Sequence, residues 1–245
     1  MQSHALILYS QLYARIVRKK MSIANLANRQ LILLDLDGTL VDSAEDLYRA
    51  MNMSLNALQL PAVTEQQVRT WIGKGTALFC QSTLQYLTGQ VDPVQQHQLL
   101  ETFLKIYNAE PCIDTKIFDG VLAFLQWGLE HNKQMICVTN KPEQPARVIV
   151  ESLGLTPYFI DVIGGDRFEE RKPHPRQLLF CMEHYQVGAS QTLMIGDSSN
   201  DVEAAQRAGI DCIVVSYGYN HGEDIYACQP QQVIDDLTEL LAEPL

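Results

Sequence analysis

The chain of 245 residues carries a formal net charge of -11 at pH 7 and has a sequence pI of about 4.9. This length suffices for one large domain or for a core with an inserted subdomain. The negative charge argues against a nucleic-acid partner, because binding the phosphate backbone requires a basic face. No apolar segment reaches the roughly 18 residues that a membrane-spanning helix needs, so no membrane partner is expected.

The six cysteines are scattered along the chain and include no C-x-x-C pair. This usage is typical of reduced core thiols and predicts a cytoplasmic protein. The oligomeric state is open, because no sequence feature distinguishes a monomer from a dimer.

The first thirty residues combine an apolar stretch with a basic cluster that follows it. A secretory signal has the reverse order, with its charge before the apolar region. Met21 is a second plausible start, and the regular alternation of strands and helices begins at Leu31. We therefore interpret residues 1–30 as an N-terminal extension of uncertain role, either non-native sequence from an upstream start codon or a docking helix.

Short apolar runs alternate with amphipathic stretches along most of the chain. Continuous hydrophobicity within the runs predicts strands buried on both faces, and hence a parallel sheet covered by helices. The predicted strands are 31–34, 134–140, 160–165, 192–197 and 211–217. The predicted helices are 119–131, 142–153, 175–185 and 200–208. The expected fold class is α/β, a doubly wound parallel sheet with a Rossmann-like core of about five strands.

One segment after the first strand breaks this alternation. No strand is predicted there, and apolar residues such as Leu47 and Met51 recur at helical spacing. Roughly seventy helical residues are too many for an ordinary connection between neighbouring strands. We therefore predict a helical cap at 43–114, inserted into an α/β core formed by 31–42 and 115–245.

Polar residues follow the predicted strands at their carboxyl ends, where open α/β sheets bind ligands. They are Asp35, Asp37, Thr139, Asn140 and Asp197, joined by Lys172 in the loop RKPHP. Residues two apart on an extended chain point to the same side, so Asp35 and Asp37 should share one space. Two like charges about 4 Å apart repel by roughly 4 kcal/mol at an effective dielectric of 20, which favours the capture of a cation.

A third carboxylate, from Asp197, would complete an all-oxygen site of the kind that suits Mg²⁺ and does not suit zinc. The charge of Lys172 and the hydroxyl of Thr139 would allow such a site to hold a phosphate. One carboxylate could then attack phosphorus while the other transfers protons.

These segments resemble the four motifs of the haloacid dehalogenase-like superfamily of phosphatases. The motifs are DLDGTLVDS, the threonine of VTNK, the lysine of RKPHP and the acidic GDSSND. The resemblance runs from residue 31 nearly to the C-terminus and includes the position of a helical cap. It implies that Asp35 is the nucleophile, that Asp37 is the acid and base, and that Thr139 and Lys172 bind the phosphoryl group.

The same resemblance implies a Mg²⁺ site. The expected ligands are Asp35, the backbone carbonyl of Asp37, and Asp197. Asp201 is expected to support the ligands from behind, and Gly38 to allow the sharp turn that a side chain would obstruct.

The choice among branches of the superfamily rests on Asp37 and on further strings of the sequence. Asp37 argues against the dehalogenase and phosphonatase branches, which by resemblance lack an aspartate at that position. The strings TWIGKG, VTNKP, VIGGD and SYGYN resemble the bacterial phosphoglycolate phosphatases. The expected substrate is 2-phosphoglycolate, a small phosphorylated carboxylate. Gly73 and Lys74 would approach its carboxylate, and Gly38 and Asn140 are further substrate-binding candidates.

Other functions are compatible with these motifs. A sugar-phosphate mutase of the β-phosphoglucomutase type shares all four, and another small phosphate ester or pyrophosphate is an alternative substrate. A receiver-type signalling module also forms an aspartyl phosphate, but it lacks a large inserted cap. Asp42 and Ser43 are expected to cap the first helix of the cap.

Overall fold

The computed structural model describes residues 26–241, and within them a six-stranded parallel sheet forms the core. Its strands, in sheet order, are β5 (Asp161–Ile163), β4 (Gln134–Val138), β1 (Leu31–Leu34), β6 (Thr192–Gly196), β7 (Asp211–Val215) and β8 (Gln232–Ile234). The α/β class and the five predicted strands are confirmed. The sixth strand, β8, was not predicted, because its two apolar residues, Val233 and Ile234, are flanked by Gln232 and Asp235 and form no apolar run.

The central strand β1 shows why the apolar runs are continuous. Alternate residues of a strand point to opposite faces. Ile32 and Leu34 pack into one apolar cluster, and Leu31 and Leu33 pack into another on the opposite face of the sheet. All four side chains are fully buried, so each face of the sheet needs its own layer of helices.

Four helices cover the two faces of the sheet. They are α5 (Val121–Glu130), α6 (Glu143–Ser152), α7 (Arg176–Tyr185) and α8 (Ser199–Ala208). Residues of α5 and α6 join the cluster of Ile32, whereas residues of α7 and α8 join the cluster of Leu31. Each of these helices lies within one or two residues of its predicted bounds. Within the described residues, five short 3₁₀ turns complete the core, at Thr156–Tyr158, Ala189–Gln191, Asn220–Gly222, Ile225–Cys228 and Leu237–Leu240.

The segment after the first strand folds as an inserted helical cap. Its helices are α1 (Ala44–Ala57), α2 (Glu65–Trp71), α3 (Thr76–Thr88) and α4 (Pro93–Ala109). Leu47 and Met51, which carried the helical pattern, are buried in a separate apolar cluster with Phe79 and Phe103. The cap therefore has an apolar core of its own. The precise limits of the cap and core as domains stay a prediction.

Two short antiparallel strands join the two ends of the inserted segment. In β2 (Val41–Asp42) and β3 (Lys116–Ile117), Val41 pairs with Ile117 and Asp42 pairs with Lys116. The chain therefore enters and leaves the cap through one narrow connection.

A buried carboxylate reinforces this connection. Asp46, in the first turn of α1, accepts hydrogen bonds from the backbone N–H groups of Ile113, Asp114 and Thr115, with shortest distances of 2.9 to 3.0 Å. The Thr115 hydroxyl donates to it at 2.6 Å, and Arg49 forms an ion pair with it at 2.6 Å. Burial alone would raise the pKa of Asp46, but the hydrogen bonds from Thr115 and Arg49 lower it below the usual value.

The beginning of the described chain packs against the core. Leu26 is buried in one sheet cluster, and the Arg29 guanidinium donates to the carbonyls of Ser190 and Thr192 and pairs with Asp211. Residues 1–25, with most of the predicted extension and Met21, lie outside the described residues. Among the helices within 26–241, none is both long and apolar enough to cross a membrane.

Candidate active site

The predicted polar residues meet at the carboxyl edge of the sheet. Asp35 follows β1, Thr139 follows β4 and Asp197 follows β6, and β1 pairs with both of the other strands. All three residues are buried. Since parallel strands end at the same edge, the order of the sheet itself brings these side chains together.

Lys172 lies beneath the carboxylates and has three partners. Its Nζ atom lies 2.8 Å from Asp35 Oδ1, 2.7 Å from Asp201 Oδ1 and 2.7 Å from the carbonyl oxygen of Val138. Burial alone would lower the pKa of Lys172, but Asp201 and Asp35 raise it above the usual lysine value. The lysine therefore stays charged and orients Asp35.

Three carboxylates form a cluster that could hold a metal ion. Oxygen atoms of Asp35, Asp197 and Asp201 all lie within 4.8 Å of one another, and all three residues are buried. Asp201 is fully engaged, because its second oxygen accepts from the Ser198 N–H at 3.1 Å and the Ser198 hydroxyl at 2.8 Å. Oδ2 of Asp35 and Oδ1 of Asp197 accept no hydrogen bond from residues 26–241, so these oxygens are available to a cation.

The charges of this cluster are unbalanced. Burial raises the pKa of Asp35 to about 7, and burial and the neighbouring carboxylates raise that of Asp197 well above its usual value. Desolvation by burial is the largest cause, and the ammonium of Lys172 also faces more than one buried carboxylate. A hard divalent cation would remove this deficit, and a set of oxygen donors fits such an ion.

Asp37 has two partners that the sequence-based reasoning missed. Its Oδ2 atom lies 3.1 Å from Nζ of Lys141, and its Oδ1 atom accepts from the Ser43 hydroxyl. Ser43 occupies the N-cap position of α1, as predicted, but its side chain makes no hydrogen bond to the helix. Its hydroxyl serves Asp37, whereas Asp42 accepts from the Ala44 N–H at 3.2 Å.

Gly38 fits its position for a steric reason. Its φ is +87°, and a Cβ atom there would lie 2.3 Å from Asp197 Oδ2. The Tyr219 N–H donates to that same oxygen at 2.7 Å and holds Asp197 in place. A side chain at position 38 would therefore displace a carboxylate of the cluster.

The cap contacts the core directly at the GKG segment. The Gly73 carbonyl accepts from the side-chain amide of Asn140 at 2.9 Å and from that of Asn200 at 3.1 Å. The same Asn140 amide group donates to the Lys172 carbonyl at 2.8 Å. Asn140 therefore joins the cap to the loop that holds Lys172. Its role as a substrate-binding residue stays a prediction.

A small cavity lies between the cap and the carboxylates. Asp35, Asp37, Thr139 and Gly73 are among its lining residues. Its volume is about 50 Å³, which is room for about three to five water molecules at roughly 10–15 Å³ each. Lys74 is exposed and lines a neighbouring cavity with Arg171 and Lys172, so its predicted contact with the substrate carboxylate stays a prediction.

Comparison with known proteins agrees with this architecture. The sequence profile of the haloacid dehalogenase-like hydrolase family matches residues 32–215. A phosphoglycolate phosphatase of Vibrio parahaemolyticus is 41% identical over 215 residues, which are 86% of this chain and 94% of that protein. One from Pseudomonas savastanoi is 39% identical over 214 residues, covering 86% of this chain and 78% of that protein.

A solved structure gives the same result for the fold. The crystal structure of a predicted phosphoglycolate phosphatase from Haemophilus somnus superposes with a TM-score of 0.83 at 29% sequence identity, covering 87% of this chain and 97% of that one. The chain therefore belongs to the haloacid dehalogenase-like hydrolase family, and it is a phosphatase.

Proposed function

We propose that the enzyme hydrolyses 2-phosphoglycolate to glycolate and phosphate, with Mg²⁺ as cofactor and with an aspartyl-phosphate intermediate on Asp35. The observation that carries this proposal is the meeting of Asp35, Asp37 and Lys172 with the carboxylate cluster beside a small cavity under the cap. The relatives named above support phosphoglycolate as the substrate.

The proposed chemistry divides the work between Asp35 and Asp37. Oδ2 of Asp35 attacks phosphorus while the bond from phosphorus to the glycolate oxygen breaks, and Asp37 donates a proton to that leaving oxygen. Asp37 then removes a proton from the water that attacks the phosphoryl group on Asp35. Lys172 neutralises the nucleophile, and the Thr139 hydroxyl binds a phosphoryl oxygen.

The cation would be held by the free carboxylate oxygens of Asp35 and Asp197 together with the backbone carbonyl of Asp37. Asp201 would hold Lys172 and the Ser198 turn behind them. When bound, Mg²⁺ supplies positive charge that stabilises the phosphoryl oxygens and keeps the carboxylates ionised.

The size of the cavity supports a small substrate. A space for about three to five waters accommodates a phosphoryl group with a two-carbon acid, whereas a hexose phosphate would require the cap to move away from Asn140. A cap closed over the substrate also excludes bulk water from the reacting phosphoryl group.

The substrate assignment is tested by turnover of the purified full chain. The panel is 2-phosphoglycolate, glucose 1-phosphate, pyrophosphate and nucleoside monophosphates, each with Mg²⁺. We expect the highest kcat/KM for phosphoglycolate. A higher value for any other member of the panel would refute the assignment.

The nucleophile and cofactor are tested separately. Asp35→Asn should reduce kcat by at least about 1,000-fold without loss of folded protein, whereas Asp119→Asn, which changes an exposed aspartate, should retain full activity. Removal of divalent ions with EDTA should abolish turnover, and Mg²⁺ should restore it better than Ca²⁺ or Zn²⁺. Activity that persists in EDTA would eliminate the metal from the proposal. The cytoplasmic location expected from the cysteines stays a prediction.

A further inference from the structure

A second buried lysine lines the cavity, and the proposed chemistry assigns it no role. Lys141 is 7% exposed, and its Nζ atom lies 3.1 Å from Asp37 Oδ2. Burial alone would lower the pKa of Lys141, but the Asp37 carboxylate raises it above the usual value, so the side chain stays charged. The same Nζ atom lies 4.8 Å from the centre of the Tyr107 ring.

The two buried lysines differ in their remaining capacity to donate. An ammonium group has three N–H donors. Lys172 has three oxygen partners, on Asp35, Asp201 and Val138. Within residues 26–241, Lys141 has Asp37 as its carboxylate partner, and its other neighbour is Tyr107, through both the ring and the hydroxyl oxygen. Lys141 is therefore the buried cation that can accept an additional anion from within the cavity.

The cap contributes a matching donor. Tyr107 of α4 lines the same cavity and is 2% exposed. Its hydroxyl oxygen lies beside the Lys141 ammonium, and its O–H has no acceptor among the described residues. Its ring stacks on Phe103, with ring centres 5.4 Å apart and planes 9° apart. Burial raises the pKa of Tyr107 to about 12, so the hydroxyl keeps its proton. A buried donor without a partner costs about 1–3 kcal/mol unless a ligand satisfies it.

We propose that Lys141 and Tyr107 form the subsite that binds the carboxylate of the substrate, so that the enzyme selects phosphate esters of 2-hydroxy acids. The inference rests on the proposed function, in which Asp37 protonates the leaving oxygen. Because Lys141 contacts Asp37, a carboxylate one carbon beyond that oxygen falls within reach of the ammonium. Lys141 belongs to the core and Tyr107 to the cap, so the subsite is complete only when the cap is closed.

The test compares two substrates that differ only in this group. In 2-hydroxyethyl phosphate, an uncharged hydroxymethyl group replaces the carboxylate of 2-phosphoglycolate. The measured quantity is the ratio of kcat/KM for phosphoglycolate to that for hydroxyethyl phosphate, so a general loss of catalysis cancels. We expect Lys141→Met to lower this ratio about 100-fold and Tyr107→Phe to lower it about 10-fold.

The wild type and two control variants, Lys105→Met and Lys74→Ala, make the outcome decisive. Lys105→Met removes an exposed lysine from the same helix as Tyr107 and should leave the ratio unchanged. A wild-type ratio near one would refute phosphoglycolate as the substrate, and the inference with it. A high wild-type ratio that both Lys141→Met and Tyr107→Phe retain would overturn the inference alone. A ratio lowered by Lys74→Ala and not by Lys141→Met would also overturn it, and would assign the carboxylate to Lys74.

Discussion

Replacing Asp46 with alanine should destabilise the connection between the cap and the core. Asp46 is fully buried and accepts from the N–H groups of Ile113, Asp114 and Thr115 and from the Thr115 hydroxyl. It thereby holds the segment that leaves the cap against the helix that begins it. Alanine at position 46 keeps α1 intact but leaves these donors without their acceptor.

The size of the effect follows from the burial of each donor. The Thr115 N–H is buried, and leaving it unsatisfied costs about 1–3 kcal/mol. The N–H groups of Ile113 and Asp114 are partly buried, so water can replace the carboxylate at about 0.5–1.5 kcal/mol each. The Thr115 hydroxyl can rotate to another acceptor, so its bond to Asp46 is not counted in this sum. The expected loss of unfolding free energy is therefore about 2–6 kcal/mol.

Urea unfolding at pH 7, followed by circular dichroism, measures this loss. Asp114→Ala is the matched control, because it removes a partly exposed carboxylate from the same segment and retains the N–H that binds Asp46. The control should cost less than about 1 kcal/mol. A loss below 1 kcal/mol for Asp46→Ala would refute the reasoning.

The pH dependence gives a second check on Asp46. Its pKa in the folded protein is below the ordinary value of 3.8, so its contribution is fully present above that value. The contribution is lost as pH falls through the folded pKa. The stability difference between wild type and Asp46→Ala should therefore be constant near neutral pH and shrink in acid.

Three further predictions concern the site and its surroundings. Lys172→Met leaves buried carboxylates without their cation, which should cost about 3–5 kcal/mol and lower Tm by roughly 10 °C in thermal unfolding. Gly38→Ala should raise the Mg²⁺ concentration for half-maximal activity at least about 10-fold, since its Cβ displaces Asp197. Hydrogen bonds from Arg167 and Arg147 lower the pKa of Glu143 to about 2, although burial opposes this shift. The ionised carboxylate therefore stabilises the fold fully above pH 4.5. Glu143→Gln should cost about 1–2 kcal/mol at pH 7, and less as pH falls from 4.5 towards 2 in urea unfolding.

Each of these has an outcome that contradicts it. A Tm unchanged in Lys172→Met would mean that the carboxylates are protonated or solvated in the folded enzyme. An unchanged Mg²⁺ concentration for half-maximal activity in Gly38→Ala would show that displacing Asp197 does not weaken Mg²⁺ binding. A stability difference for Glu143→Gln that grows in acid would reverse the sign of the assigned pKa shift.

Much of the core was predictable because its signals are local. The five apolar runs became strands, since a strand buried on both faces must be apolar at every position. Asp35, Thr139 and Asp197 were placed together by the rule that parallel strands end at one edge. Strand β8 was missed because its two apolar residues are flanked by polar ones and form no apolar run. The side-chain role of Ser43 was missed because its bond to Asp37 depends on the tertiary structure.

The contacts of the cap were not predictable, because they join residues distant in sequence. Asp46 and Thr115 are 69 positions apart, and Asn140 and Gly73 are 67 apart. Lys141 follows Thr139 and Asn140 in VTNK, but nothing local indicates that its ammonium faces Asp37, or that Tyr107 lies over it.

The sequence by itself determined the fold class and the set of catalytic candidates, because hydrophobic period and strand-end position are properties of consecutive residues. Only the tertiary structure decided which side chains surround the acid and base, and how little space the closed cap leaves above them. Those properties depend on how the cap and the α/β core, each with its own apolar interior, pack against each other. No run of consecutive residues predicts that contact.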